Sequence, residues 1–246
     1  MAVAALAWGA ITVGQQQPES AQEAYICPPC GIHCDRLTHH QPGKCPVCGM
    51  DLMDKADLLQ VAIFISPRMS MTEVAGPARV LLGGRGFLTY TVAANSEAVI
   101  SNEMFEIKPQ YTIQNSPLPD VLVVPGGRSS IIRDEATIEW IRKAGKQAQM
   151  VLGVGRGVVV LAKAGLLDEQ QAALDERSAR FMDWAKLETK ATFHSDRPWV
   201  ESGKFLTAAS PDGAMDASLA LVRNLLGASQ ARQAARFVGR ELPEGE

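Results

Sequence analysis

The chain has 246 residues, 46% of them hydrophobic, and a formal net charge of −3 at pH 7. This length allows one large domain and a small additional module, and the composition is that of an ordinary globular protein. The acidic balance and the lack of a Lys/Arg cluster argue against nucleic-acid binding.

An apolar segment opens the chain. Residues 1–14 are too short to span a bilayer, which needs about twenty residues, and a polar run follows at residues 15–18. This order is similar to the hydrophobic and cleavage regions of a secretory signal. No Lys or Arg precedes Arg36, so either the true start lies upstream of Met1 or the segment is a disordered or packed apolar N-terminus. On the first interpretation we expect residues 1–24 to be a signal-like segment and linker, and the protein to be periplasmic or secreted, with no stable membrane span.

The next segment contains every cysteine of the chain. Cys27 and Cys30 form one C-x2-C pair, Cys45 and Cys48 form another, and fourteen residues separate the pairs. Such spacing is close to that of zinc ribbons, in which two pairs of thiolates surround one ion tetrahedrally. We predict a structural zinc site at these four residues, within a module at residues 25–54. Cys34 is a candidate substitute or additional ligand.

Tyr25, Cys27 and Pro28, followed by P-G-K-C-P-V-C-G-M-D-L at residues 42–52, resemble the heavy-metal-binding modules of exported metal-handling proteins. Those modules commonly read C-P-M-H where this chain reads C-P-P-C, so a thiolate replaces an imidazole and favours zinc over transient copper. The alternative is a disulfide framework, which an exported chain can form. Five is an odd number of cysteines, and a disulfide across C-P-P-C would close a strained ring, so we favour the metal site.

From residue 59 onward, short apolar strands alternate with amphipathic helices. This alternation predicts an α/β domain at residues 59–227, with a mostly parallel sheet covered by helices on both faces. The predicted strands are residues 60–65, 87–93, 120–124 and 150–154, with a strand pair near 199–209. The predicted helices cover residues 70–82, 134–147, 156–164 and 176–187, and a further helix begins at Ser210. Residues 98–113 are predicted as a hairpin region, and residues 228–246 as a C-terminal helix and tail.

Three segments of this domain resemble the ThiJ/PfpI family of the class I glutamine amidotransferase-like superfamily. They are A-G-P at residues 75–77 after Glu73, P-D-V-L-V-V-P-G-G at 119–127 and L-A-K-A-G-L-L-D at 161–168. The resemblance covers roughly residues 59–227. It implies a flavodoxin-like α/β/α sandwich, an acidic residue at Glu73 beneath a nucleophilic cysteine, and a homodimer.

The cysteine that this resemblance implies is missing. In the family it lies at the sharp elbow after a strand, where this chain reads G-V-G-R-G at residues 153–157 and places Gly155 at the nucleophile position. The domain contains no cysteine, its one histidine is His194 in a predicted loop, and the helper-histidine region reads A-A-L-D at residues 172–175. We therefore predict no catalytic residue, although Glu73 is a candidate.

The elbow retains its backbone donors. The amides that begin the helix at Arg156, with those of Gly126 and Gly127, predict a pocket suited to an anion or carboxylate. Glu73 either pairs with Arg156, caps nearby amides or is a solvated helix residue. We predict a non-catalytic protein that binds a small anionic molecule at Glu73, Gly126, Gly127, Gly155 and Arg156. The alternatives are a hydratase or amidohydrolase-like enzyme that uses Glu73 and a bound water, and a metal carrier or sensor.

Overall fold

The computed structural model describes residues 24–28 and 33–242. Its N-terminal part is a small antiparallel sheet with β1 in the centre, made of β1 (Tyr25–Ile26), β2 (Thr38–His39) and β3 (Met53–Asp54). A 3-10 helix at His33–Arg36 lies between β1 and β2. A second one, at Lys55–Asp57, begins where Ala56 N donates to Asp54 Oδ1 at 2.8 Å, and leads into the large domain.

A seven-stranded sheet forms the centre of the large domain. Its strands, in spatial order, are β13 (Trp199–Ser202), β14 (Phe205–Ala208), β10 (Met150–Val154), β9 (Val121–Val124), β4 (Leu59–Phe64), β5 (Phe87–Ala93) and β8 (Tyr111–Thr112). All neighbours pair in parallel except β13 and β14, which are antiparallel. The mostly parallel sheet that the alternating pattern predicts is therefore confirmed.

The remaining strands form two small sheets beside the large one. The first pairs β6 (Val99–Ile100) with β7 (Glu106–Ile107) in antiparallel fashion, within the segment that the sequence predicts as a hairpin region. The second pairs β11 (Gln171–Ala173) with β12 (Thr192–His194) in parallel. His194 thus ends a strand rather than lying in the predicted loop, and its Nε2 contacts Gln171 Oε1 at 3.0 Å.

Six helices surround the sheet in the described part of the chain. They are α1 (Met71–Gly84), α2 (Glu135–Gln147), α3 (Arg156–Lys163), α4 (Glu176–Ala185), α5 (Pro211–Leu226) and α6 (Ala228–Val238). Two of them begin as their sequences predict: Asp134 Oδ1 accepts from Thr137 N at 3.3 Å, and Ser210 Oγ accepts from Gly213 N at 3.2 Å with Pro211 in the first turn.

Alternation along the strands divides the apolar side chains between two cores. In β4, Val61 and Ile63 face the core beneath α1, α5 and α6, whereas Ala62 and Phe64 face the core beneath α2, α3 and α4. The helix α6 belongs to the first core, because a Cβ at Gly83 of α1 would lie only 2.9 Å from Ala234 Cα of α6. The domain is a flavodoxin-like α/β/α sandwich, and its C-terminal helix is an integral part of it.

Strand order locates the crevice of this fold. The chain moves from β4 to β5 in one direction across the sheet, while β9, β10 and β14 follow in the other. Ligand sites of open α/β sheets lie at the carboxyl ends of the strands where this reversal occurs, here between β4 and β9. Over residues 24–28 and 33–242, no helix is both long and apolar enough to cross a membrane.

Candidate ligand pocket and metal centre

A cavity of about 930 Å³ opens at the carboxyl ends of the central strands. Its wall is built from the segments that follow β4, β9, β10, β11 and β14. The cavity is lined by all five residues that the sequence predicts at a ligand site, which are Glu73, Gly126, Gly127, Gly155 and Arg156. The fold therefore brings together residues that lie as far as 83 positions apart in the chain.

Gly155 forms the sharp elbow between β10 and α3. Its backbone has φ 53° and ψ −122°, and its N–H donates to Ala208 O of β14 at 2.8 Å. A side chain would strain this backbone by about 1–3 kcal/mol. A Cβ at this position would also lie 2.8 Å from Glu73 Oε1. Glycine avoids both costs, and it leaves the carboxyl group of Glu73 beside a position with no nucleophile.

Glu73 lies in the first turn of α1, and its Oε2 accepts from Gly126 N at 2.7 Å. Burial raises the pKa of this carboxyl group, and the charge of Asp175 adds to the rise, while the Gly126 hydrogen bond and the Arg156 charge act against it. Arg156 instead places its guanidinium 5.3 Å from the ring centre of Phe181. Among the described residues Glu73 and Arg156 form no ion pair within 4.0 Å, so amide capping is the alternative that the structure adopts.

The α1 helix that carries Glu73 is fixed at its start by the loop between β6 and β7. Glu103 accepts from Ser70 Oγ at 2.8 Å and from Met71 N at 3.1 Å. The bond from Met71 N satisfies a backbone donor that the first helical turn cannot satisfy by itself. The hairpin region therefore helps to position Glu73 at the cavity.

The helper-histidine region supplies no imidazole. Leu174 is 2% exposed and packs in the core, and Asp175 caps α4 by accepting from Ser178 N at 2.7 Å. In the described part of the chain, neither a cysteine nor a histidine lines the cavity. Its polar groups are those of arginine, carboxylate, serine, asparagine and the backbone.

Sequence reasoning missed four further arginines that line the cavity, namely Arg68, Arg128, Arg177 and Arg180. A signal for two of them exists, because Arg68 and Arg128 follow β4 and β9, the strands on either side of the crevice. Arg177 and Arg180 lie on α4, whose approach to the crevice no local pattern reveals.

Four thiols converge in the N-terminal module. The Sγ atoms of Cys27, Cys34, Cys45 and Cys48 all lie within 4.8 Å of one another. Cys27 Sγ is 3.2 Å from Cys48 Sγ and 3.8 Å from Cys34 Sγ. Tetrahedral bonds of about 2.3 Å from one zinc ion would separate the sulfurs by about 3.8 Å, so the cluster fits such an ion. The predicted ligand Cys30 lies outside the described residues.

The turn between Cys45 and Cys48 is a knuckle. Gly49 has φ 76° and donates to Cys45 O at 2.8 Å, while Cys45 N donates to Met50 O at 2.7 Å. The backbone N–H of Met50 lowers the pKa of the Cys48 thiol to about 7, and burial raises the pKa of Cys27. Because the thiolate is the ligand form, the lowered pKa of Cys48 favours its binding to a metal ion.

Comparisons with known proteins agree with both parts. The heavy metal binding domain model matches residues 24–55, and the DJ-1/PfpI family model matches residues 59–224. Isonitrile hydratase of Pseudomonas putida is 28% identical over 180 residues, which are 71% of this chain and 75% of that protein.

Solved structures show the same fold. A THiJ/PfpI family protein from Pseudomonas syringae aligns with a TM-score of 0.66 at 23% identity, over 76% of this chain and 77% of its own. DJ-1beta of Drosophila melanogaster aligns with a TM-score of 0.64 at 19% identity, over 75% of this chain and 99% of its own. With the family model spanning more than half of its residues, the chain belongs to the DJ-1/PfpI family.

Proposed function

We propose that this protein binds a small anionic molecule reversibly and forms no covalent bond with it. The observation that carries the proposal is Gly155, which keeps the elbow geometry but offers no sulfur or oxygen nucleophile. Covalent catalysis requires an activated side chain at that point. What remains is a polar cavity at the crevice of the sheet, with backbone amides and guanidinium groups suited to an anion.

A second function, hydration of the ligand, is favoured by two observations. The pKa of Glu73 is raised, as in carboxyl groups that act as general acids or bases, and isonitrile hydratase is among the relatives. In this alternative the ionised Glu73 would take a proton from a bound water as the water oxygen bonds to the isocyanide carbon. It would then return the proton to the same carbon, and the resulting imidic acid would tautomerise to the formamide. No second group at the elbow stabilises an intermediate covalently, so we favour binding.

Hydration of cyclohexyl isocyanide to the formamide distinguishes the two functions. We expect no product above the uncatalysed rate from the wild-type protein. Formamide production that is lost in Glu73→Gln and retained in Glu188→Gln would contradict the binding function. Glu188 is a suitable control because it is exposed and lies outside the cavity.

Gly155→Cys tests whether the elbow itself is intact. We expect the introduced thiol to be alkylated by iodoacetamide at pH 7 faster than a peptide thiol, because it would lie at the start of α3 beside Arg156. Peptide-resolved mass spectrometry separates it from the five native cysteines. Reaction at the rate of an unfolded peptide would show that the elbow has lost its donor geometry.

The cysteine cluster and the match to the heavy metal binding domain indicate a metal site, and we propose that zinc occupies it as a structural ion. Cys27, Cys34, Cys45 and Cys48 would hold it, and a closed shell of four thiolates leaves no open position for chemistry. The carrier or sensor alternative demands exchange of the ion. Complete transfer of zinc within minutes to a chromophoric chelator would favour that alternative.

We further propose that the protein is exported and forms a homodimer. Support for export is the apolar segment at residues 1–14, which lies outside the described residues. Support for dimerisation is the family resemblance. Cell fractionation of the tagged full-length protein tests export, and light scattering after gel filtration tests the dimer, with recovery in the cytoplasm or a monomer mass as the contradicting results.

A further inference from the structure

The cavity has more positive charge than the binding of a singly charged anion requires. Five arginines line it, against the carboxyl groups of Glu73, Asp175 and Glu176. The chain as a whole carries a net charge of −3, so cationic residues are concentrated at this crevice. A cleft lined by one sign of charge attracts ligands of the opposite sign.

Each of the three carboxyl groups already has a partner within the protein. Asp175 caps α4, accepting from Ser178 N at 2.7 Å and from Ser178 Oγ at 3.0 Å. Glu176 lies 3.5 Å from Arg180. Glu73 is bonded to Gly126 N, and its raised pKa favours the neutral form. Of the five arginines, the acidic residues of the cavity therefore neutralise only Arg180.

Among the described residues, four of the five cavity arginines form no ion pair, and one of these four, Arg156, lies against the ring of Phe181. Within residues 24–28 and 33–242, the guanidinium groups of Arg68, Arg128 and Arg177 form no ion pair and no side-chain hydrogen bond. Arg177 also lies in the first turn of α4, where the helix dipole disfavours a cation. A bound anion would relieve both the mutual repulsion of these charges and the unfavourable dipole interaction.

The backbone fixes two of these arginines next to each other. Arg68 has φ 63°, an uncommon conformation for a residue with a side chain, and its N–H donates to Ile100 O at 2.9 Å. Arg128 N donates to Pro67 O at 2.7 Å, which joins the loop after β9 directly to the loop after β4. The two exposed side chains thus line the cavity from loops that are tied together.

From this arrangement we infer that the ligand carries a doubly charged oxyanion group, a phosphate monoester or a pair of carboxylates, held by Arg68, Arg128 and Arg177. This inference rests on the proposed function and specifies its ligand class. A single carboxylate is satisfied by one guanidinium fork, whereas three unpaired guanidinium groups match an anion with more charge and more acceptor oxygens. The cavity of about 930 Å³ leaves room for an organic group beyond the anion.

Calorimetric titration at pH 8 with three matched probes tests the inference. Benzoate carries one charge, phthalate carries two carboxylates, and phenyl phosphate is doubly charged because its second pKa is about 6. We expect the wild-type protein to bind phenyl phosphate or phthalate at least about tenfold more tightly than benzoate, since each added charged hydrogen bond contributes of that order. Tighter binding of phenyl phosphate would identify the ligand group as a phosphate monoester, and tighter binding of phthalate would identify it as a pair of carboxylates.

The double variant Arg128→Gln/Arg177→Gln should lose this tenfold preference for the doubly charged probes. It should bind benzoate within about threefold of wild type, since a single carboxylate needs only one guanidinium group and the other cavity arginines remain. The matched control is Arg232→Gln/Arg236→Gln on the exposed side of α6, outside the cavity, and it should retain the preference. Equal affinity for all three probes, or a preference that survives the cavity variant, would overturn the inference and leave the proposed function intact. A wild-type protein that binds none of the probes would overturn the proposed function itself.

Discussion

At Gly155 the backbone turns through φ 53° directly beside Glu73, so no side chain, and hence no side-chain nucleophile, stands at the elbow next to this carboxyl group. The carboxyl group of Glu73 accepts a hydrogen bond from Gly126 N. The carboxyl group is largely buried, and among the described residues no charged side chain forms an ion pair with it. The carboxyl group is therefore held in a surrounding that favours its neutral form.

The raised pKa of Glu73 predicts a specific dependence of stability on pH. The folded state holds the proton more tightly than the unfolded state, so the stabilisation is present below the ordinary value of 4.5 and is lost as pH rises through the folded pKa. Glu73→Gln is neutral throughout and keeps an oxygen that can accept from Gly126 N. We expect its melting temperature to exceed that of wild type at neutral pH, with the difference vanishing below pH 4.5.

Thermal unfolding of both proteins between pH 4 and pH 8 measures this difference, with Glu188→Gln as the control. Parallel curves for wild type and Glu73→Gln would show that the Glu73 carboxyl group is ionised without cost in the folded protein.

Among the elements, α4 begins at a residue that affects both the stability of the helix and the charge of the cavity. Asp175 caps it and also lines the cavity. Asp175→Ala should lower the free energy of unfolding by about 1 kcal/mol, whereas Asp175→Asn should keep most of it, because asparagine caps helices as well as aspartate does. Both variants remove a negative charge and should tighten phenyl phosphate binding.

Urea denaturation and calorimetry of the two Asp175 variants separate these effects. Equal destabilisation by alanine and asparagine would show that the charge rather than the cap stabilises α4. Unchanged phenyl phosphate affinity in both would show that the anion binds away from this helix.

The N-terminal module is the second part of the chain whose structure makes a specific prediction, here about its zinc ligands. Its buried core consists of Cys27, Cys34 and Cys45, with Cys48, Met50 and Leu52 packed against them. Cys34→Ser should weaken zinc affinity at least about tenfold, because it removes one of four thiolates. Cys30→Ser is the matched variant and should retain one tightly bound ion. Elemental analysis after dialysis against a zinc buffer measures both, and the reverse order of effects would assign the fourth ligand to Cys30.

On the scale of the whole molecule, the N-terminal module and the large domain are expected to respond differently to metal removal. The module has too few apolar residues to fold on its own, so bound metal should contribute most of its stability. The large domain has extensive cores on both faces of the sheet. We expect chelation to abolish amide protection within residues 24–55 and to leave protection in β4, β9 and β10 unchanged, as measured by hydrogen exchange.

Loss of protection throughout the chain after chelation would contradict this separation of the two parts. A matched sample that is treated with chelator and then restored with excess zinc controls for damage by the treatment.

Local signals allowed most of the fold to be predicted from the sequence. The start of α5 at Ser210 and Pro211, the cap of α2 at Asp134 and the apolar strands all agree with their patterns. The pair β11 and β12 was missed because three-residue strands carry too little periodicity. The elbow glycine was predictable from a motif. The arginines of the cavity were not, because their proximity depends on how separate loops meet across the sheet.

Reversible binding of an anion in the cavity at Gly155 and Arg156 can be measured with a simple carboxylate. The experiment is a calorimetric titration of benzoate into the wild-type protein and Arg156→Gln, with Arg232→Gln as the control. We predict saturable binding of one benzoate per chain, full release on dialysis, and at least about fivefold weaker binding in Arg156→Gln through the loss of one charged contact. No saturable binding by the wild-type protein, or equal binding by Arg156→Gln, would contradict the proposed function.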